Sequence, residues 1–299
     1  MTNNSSDVDQ RKKHITGIFS RAAPTYDHIG PSFFAHFGRE LVNFAQIEAG
    51  NSVLDLATGR GAILFPAVKA VGKDGYVVGT DISLPMVEET RREVQTLGLK
   101  NATVEQMDAE CLQFQHGTFD VVLCGFALFF FPHLDKALAE IWRVLRPGGH
   151  LAVSTWEKYE DEQWSWFDKL VDIFLPPEPQ QDSTPGSQPP PPELNTPVGM
   201  EEVLTKAGFS QVLHKTERFE VNYKDREQWW LAQWSHGGRA LLEAIEEKLG
   251  ADGLERFKLA VFEGLSQHQP SGGVHTNWPA LYVRAIKPES LVVISEQVI

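Results

Sequence analysis

The chain is poor in cysteine, in basic residues and in long apolar runs, and each scarcity removes a class of function. Two cysteines among 299 residues, Cys111 and Cys124, cannot build a disulfide framework, and their spacing offers no metal site. Cys111 is expected at the start of a short helix and Cys124 at the buried end of a fourth strand, as a small hydrophobe. Twenty-seven basic residues stand against 40 acidic ones, a net charge of −13, so a nucleic-acid backbone would be repelled without a local basic stripe. The one basic cluster, Arg11-Lys12-Lys13, reads as the solvated face of an N-terminal helix. The longest apolar run, Val121 to Phe131, has eleven residues, where about 20 are needed to span a bilayer. Met1 to Arg11 is polar and lacks the apolar stretch of a signal peptide. A cytosolic chain is expected.

With 42% hydrophobic residues, the chain can build a full core in one large domain or in one domain with a substantial insertion. Its most informative stretch is Val53-Leu54-Asp55-Leu56-Ala57-Thr58-Gly59-Arg60-Gly61, a short strand, a carboxylate and a glycine turn, continued as a helix over Ala62 to Val71. A second strand, Tyr76 to Thr80, ends on Asp81, whose carboxylate could accept both hydrogens of a ribose diol. The dinucleotide fingerprint would require a third glycine where the chain has Leu64, and no Gly-x-x-x-x-Gly-Lys occurs. A diphosphate ligand is therefore disfavoured.

Further strands are expected at Thr103 to Met107, Phe119 to Cys124 and Leu151 to Thr155, separated by helices such as Ser83 to Leu97 and Leu134 to Leu145. This alternation predicts an α/β fold with a doubly wound, mostly parallel sheet and right-handed crossovers. Ligands of such sheets bind beyond the carboxyl ends of the strands, where Asp55, Asp81, Asp108 and Gly125 all fall.

From about Phe19 to Trp156 the residues resemble the class I S-adenosylmethionine (SAM) dependent methyltransferases, especially the group of the ubiquinone and menaquinone biosynthesis methyltransferases. The resemblance implies a seven-stranded Rossmann-like sheet with SAM as cofactor and no metal. It further implies that Asp55 to Gly61, including Ala57 and Gly59, wraps the methionine end, and that Asp81 with Ile82 holds the ribose. Asp108, flanked by Met107 and Ala109 after the third strand, would contact the adenine amino group. Gly125 would lie at the fourth strand end. Tyr26-Asp27 resembles the pair that folds over SAM, which assigns Tyr26 to the cofactor site. Leu145-Arg146-Pro147-Gly148-Gly149 resembles the turn before strand five. The domain reading is 1–45 an N-terminal helical lid, 46–156 the SAM-binding core, 157–224 a helix, a Pro-rich loop and the return to the sheet, 225–270 a helical cap insertion, and 271–299 the final strand and tail.

The second half carries less of the resemblance. Pro176 to Pro197 holds nine prolines and reads as an extended mobile loop. Gly199 to Lys206 is expected as a helix, and Gln211 to Asn222 and His275 to Ile286 as strands, which the resemblance implies are the antiparallel hairpin closing the sheet. Asp225 to Gln269 reads as the cap over an acceptor pocket. Phe126 and Phe129 to Phe131, together with Trp164, Trp166, Trp229, Trp230, Trp234 and Trp278, suit a flat or lipidic acceptor. For any single tryptophan, packing of the cap against the core is the better reading.

Methyl transfer requires alignment of nucleophile, methyl and sulfur more than acid–base chemistry. An acceptor needing deprotonation would call on a histidine or carboxylate. Many relatives carry histidines where this chain has Phe129 and Phe130, which argues against a base there. His236 ranks first among the candidates because it precedes Gly237-Gly238, and Arg239 beside it could bind a carboxylate or enolate. His133, His275 and His28 follow. The expected activity is methylation of an oxygen or carbon of a small, largely apolar or aromatic acceptor, quinone-, phenol-, polyketide- or carboxylate-like. A protein or nucleic-acid methyltransferase and a noncatalytic SAM-binding module are the alternatives. Neither a nucleic-acid partner nor a membrane span is expected, and the oligomeric state is left open.

Overall fold

The computed structural model describes residues 3–159, 162–177 and 192–289. Seven strands form one sheet: β1 (Ser52–Leu56), β2 (Tyr76–Asp81), β3 (Ala102–Gln106), β4 (Phe119–Gly125), β5 (Leu145–Trp156), β6 (Ser210–Tyr223) and β7 (Val274–Ile286). Their order is β3-β2-β1-β4-β5-β7-β6. The first five run parallel, while β7 is antiparallel to both β5 and β6. The chain winds outward from β1 to β3 and then returns to lay β4 against β1, so the strand order reverses between β1 and β4. That reversal opens a crevice at their carboxyl ends.

Alternation along each central strand explains the two layers of helix. Val53, Val77, Val121, Leu123 and Ala152 face one core, and Leu54, Leu56, Val122, Cys124, Leu151 and Val153 face the other. The first core is covered by α2 (Phe33–Ala45), α3 (Leu64–Val71) and α4 (Leu84–Thr96), the second by α5 (Leu134–Val144) and α7 (Pro197–Lys206). Helix starts are chemically marked: the Ser83, Thr196 and Asp225 side chains each accept a backbone N–H of the first turn.

Before the sheet, α1 (Asn3–Ala22) lies across α4 and touches the C-terminal helices, with the Ser20 and Ser83 hydroxyls 2.9 Å apart and Arg21 paired to Glu243. Between β6 and β7 stand α8 (Arg226–Gln233) and α9 (Arg239–His268), the latter bent at Gly250, where φ is 72°. With α6 (Ser165–Phe174) they form a helical layer fastened by rings. Trp164 stacks on Trp229 at 5.7 Å, Trp230 meets Phe257 at 6.1 Å and Trp166 stacks on His268 at 5.4 Å.

Four expectations need correction. Leu145 to Gly149 is part of β5, because Leu145 still pairs with Phe119 while a register shift of the ladder before Val121 absorbs the excess residues. Cys111 is exposed in a turn whose N–H bonds the Asp108 carbonyl, not in a helix. The helix after the glycine turn starts at Leu64, since Gly61 to Ile63 still belong to the turn. Of the Pro-rich loop, residues 178–191 lie outside the described residues, and Pro197 already opens α7.

Gly38 shows how tightly α2 seats on the glycine turn: a Cβ there would fall on the Ala62 carbonyl oxygen. That neighbour is backbone and cannot swing aside. Gly38→Ala is therefore expected to lower stability by about 1–3 kcal/mol, the usual range for overpacking, read as a reduced midpoint in urea at unchanged slope.

Candidate active site

The turn after β1 is built on a buried carboxylate. Asp55 is 0% exposed, takes the Thr58 hydroxyl proton at 2.5 Å on Oδ2, and leaves Oδ1 without a partner among the described residues. Burial pushes its carboxyl up to about 7. Ala57 at φ 56° and Gly59 at 52° then bend the chain through left-handed backbone, which costs a non-glycine residue energy and is stored at a strand end beside the crevice. Phe126, just past β4, repeats the feature at φ 51°.

Asp81 closes the turn from the next strand. Its Oδ2 accepts the Gly59 N–H at 2.9 Å and its Oδ1 the Ser83 N–H at 2.8 Å. The residue is 9% exposed, and burial raises its carboxyl to about 6. The Thr90 hydroxyl holds the Gly59 carbonyl at 2.7 Å from α4. Beyond β3, Lys12 reaches down from α1 to Asp108 at 2.7 Å and to Glu110 at 2.6 Å. Lys12 is thus bound into the site and is not part of a solvated face.

These elements rim a cavity of about 300 Å³. Of the residues assigned to the cofactor, Tyr26, Ala57, Gly59, Asp81, Ile82, Met107, Asp108, Ala109 and Gly125 line it. Asp55 and Gly61 do not: the first lies beneath the turn on Thr58, and at the second a Cβ would strike the Phe65 ring rather than enter the cavity. On the far side the wall is aromatic. Tyr26 stacks on Phe34 at 5.4 Å, Phe126 lies 4.1 Å from Trp156, and Phe33 stacks on Trp278 at 5.3 Å. Phe129, Phe130 and Phe131 complete it, whereas Trp164, Trp166, Trp229, Trp230 and Trp234 stay outside.

Among the catalytic candidates, only His236 lines the cavity, beside Gln233, Gly237 and Gly238. It is 6% exposed, its Nδ1 accepts the Gly238 N–H at 3.2 Å, and burial lowers its pKa to about 4. Arg239 is not brought into the cavity. Its Nε donates to the Trp234 carbonyl at 2.8 Å, an Nη pairs with Glu243 at 3.2 Å, and its guanidinium lies 5.2 Å over the Trp234 ring. The α9 first turn points it back along its own helix. His133 Nδ1 is 2.9 Å from Glu110 and lies outside the lining, as do His275, bonded to Asn222, and His28.

Sequence reasoning missed Lys12, Phe33, Phe34, Gly38 and Trp156, all of which line the cavity. The Phe33-Phe34 pair at the start of an amphipathic stretch was a readable signal. Nothing local marks Lys12, whose partners lie 96 and 98 residues away.

The family described as a methyltransferase domain matches residues 53–149. Nocamycin O-methyltransferase of Saccharothrix syringae is 30% identical over 276 residues, covering 89% of this chain and 96% of that one. The chain belongs to the class I SAM-dependent methyltransferases. Aklanonic acid methyltransferase DauC of Streptomyces sp. (strain C5) is 40% identical over 48% of this chain and 66% of its own length. The ubiquinone/menaquinone biosynthesis C-methyltransferase UbiE of Hydrogenovibrio crunogenus is 37% identical over 50% of this chain and 61% of its own. The stretches matched to these two thus span about two thirds or less of their lengths. The YcgJ protein of Bacillus subtilis superposes with a TM-score of 0.54 at 19% identity, over 85% of this chain and 99% of that one, and shares the fold. SAM is the cofactor of this methyltransferase family, and no described helix is long and apolar enough to cross a membrane.

Proposed function

We propose that the enzyme methylates an oxygen or carbon of a small, flat, largely apolar acceptor. One observation carries the reading: a single cavity joins the glycine turn and Asp81 to a wall built of Phe33, Phe34, Phe126, Trp156 and Trp278. Aromatic faces of this kind bind planar rings. Two of the relatives, an aklanonic acid methyltransferase and a nocamycin O-methyltransferase, support an acceptor of this kind.

The cofactor supplies a methyl group already activated on a sulfonium. Asp81 takes the two ribose hydroxyls with the lone pairs its backbone donors leave free, since each carboxylate oxygen accepts more than one bond. Gly59 admits the methionine portion, and Asp108 with Ala109 borders the adenine. Residues 1–45 act as a lid, α8 and α9 as the cap, and the aromatic wall would hold the acceptor against the methyl group that the cofactor supplies. The lid is held by Lys12 on Asp108 and Glu110 and by Arg60 Nη1 on the Ala23 carbonyl at 2.7 Å.

Release of S-adenosylhomocysteine with a panel of planar phenols, 1,3-dicarbonyls and aromatic carboxylates tests the reading. Turnover of none of them, with SAM bound normally, would remove it.

The raised Asp81 carboxyl sets the pH dependence. Hydroxyl donors need the ionised form, so SAM affinity is expected to be flat above about pH 7 and to fall about tenfold per pH unit below about 6. Stability of the ligand-free protein should run the other way. Asp81 binds its proton more tightly folded than unfolded, so its contribution is present below about pH 4 and is lost as pH rises through 6. Calorimetric SAM titrations and melting curves between pH 4.5 and 8 read the two opposed slopes.

A further inference from the structure

Among the described residues His236 is the one histidine in the cavity wall, and its environment determines which nitrogen carries the proton. Nδ1 lies 3.2 Å from the Gly238 amide, which can only donate, so Nδ1 presents its lone pair there. In the neutral ring the hydrogen must then sit on Nε2. Moving it to Nδ1, as a general base with a free Nε2 lone pair would require, would set two hydrogens against each other in the bend before α9. Gly238 packs against the end of α8, where a built Cβ would stand 3.2 Å from the Gln233 carbonyl oxygen. The tautomer is therefore fixed by backbone.

Nε2 is buried and has no partner among the described residues. The ring packs edge-to-face on Phe33 at 5.6 Å, and Phe33 stacks on Trp278 in the aromatic wall. A buried N–H without an acceptor is costly, and the cost is relieved only by an oxygen brought in from outside. Burial is the cause that lowers its pKa to about 4 and favours the neutral ring.

We infer that His236 is a fixed neutral hydrogen-bond donor that holds an acceptor oxygen through Nε2–H and takes no proton from it. The inference rests on the small-molecule reading of this cavity and deepens it. It makes His236 a binding and positioning residue, and it restricts acceptors that need deprotonation to those that arrive ionised: carboxylates, acidic phenols and 1,3-dicarbonyl enols.

Two measurements decide it. The first needs no turnover: in protein labelled with nitrogen-15 histidine, the His236 ring should show a protonated Nε2 and an unprotonated Nδ1, unchanged from pH 6 to 8. A proton on Nδ1, or a titration in that range, would overturn the assignment. The second is calorimetric binding of 1-hydroxy-2-naphthoate to the protein saturated with S-adenosylhomocysteine. His236→Phe keeps a ring without the donor and should weaken this probe about tenfold or more, while His236→Gln, whose amide nitrogen reaches the Nε2 position, should recover to within about threefold. S-adenosylhomocysteine affinity should be the same in all three. With a turned-over acceptor, the pH profile of kcat/KM should keep its shape in His236→Gln; loss of an ascending limb would make His236 a base. If wild type fails to bind the probe, the acceptor class is wrong, and the nitrogen-15 result still decides the role of His236.

Discussion

Asp81→Ala is expected to raise the dissociation constant for SAM by about 10²–10⁴ while the protein stays folded. Two hydroxyls donating to one carboxylate make two charge-assisted bonds, each about 1.5–3 kcal/mol, and about 1.4 kcal/mol corresponds to a factor of ten. The fold itself should lose little. Alanine leaves the Gly59 and Ser83 amides without their acceptor, but it also removes a carboxylate whose burial is unfavourable enough to raise its pKa to about 6. Asp81→Asn keeps the shape and one acceptor oxygen, so it should fall between wild type and alanine. It should also abolish the decline of affinity below pH 6, because nothing at that position titrates. Unchanged calorimetric affinity in a folded Asp81→Ala would mean that the ribose lies elsewhere.

The sheet was legible because its signals are local. Alternating apolar residues in β1, β2 and β4, turns bounded by glycine, and carboxylates at strand ends place the first four parallel strands within one or two residues of their observed ends. Strands β6 and β7 were legible for the same reason, whereas their pairing as a hairpin came from the resemblance. β5 was cut short because Pro147-Gly148-Gly149 looks like a turn wherever it stands, and only the partner strand reveals that Leu145 still pairs. Hydrogen bonds of the same kind, from Gly148 to the Lys287 carbonyl and from Lys287 back to Gly149, extend the ladder from β7.

The site divides along the same line. The expected cofactor half is written into strand ends: the glycine turn and Asp81 were read from the residues, and Asp108 from the family resemblance. The acceptor half is assembled from segments far apart in the chain, α2, the end of β5, the α8–α9 bend and β7, and no spacing rule joins them. Arg239 illustrates the difference. Its position beside Gly237-Gly238 suggested anion binding, yet helical geometry sets Glu243 one turn away on the same face, and the intrahelical pair takes the guanidinium. Lys12 errs in the opposite direction: a basic run on a polar helix looks solvated until the fold brings Asp108 and Glu110 beneath it.

Gly59→Val should abolish measurable SAM binding, and the structure separates the reason from simple misfolding. The backbone at Gly59 is left-handed, φ 52°, so valine pays a conformational penalty of about 1–3 kcal/mol there. Its Cβ, however, meets nothing within 4 Å, because it stands in open space at the cavity wall. The variant therefore folds, with stability reduced by about that penalty, and fills room that the methionine portion of SAM requires. Gly72 supplies the control. It too has a positive φ, 65°, here with ψ −165°, a region that is nearly glycine-only, and nothing lies within 4 Å of a built Cβ, but it lies at the end of α3 away from the cavity. Gly72→Val should lose at least as much stability and still bind SAM as wild type does. Gly59→Ala, with a smaller backbone cost and two fewer methyl groups, should bind weakly but detectably. Melting temperature and calorimetric affinity for the three variants distinguish the two causes: if Gly59→Val and Gly72→Val lose binding alike, backbone strain is responsible and the cofactor does not pass over Gly59. If Gly59→Val binds SAM normally, the methionine end lies away from the turn.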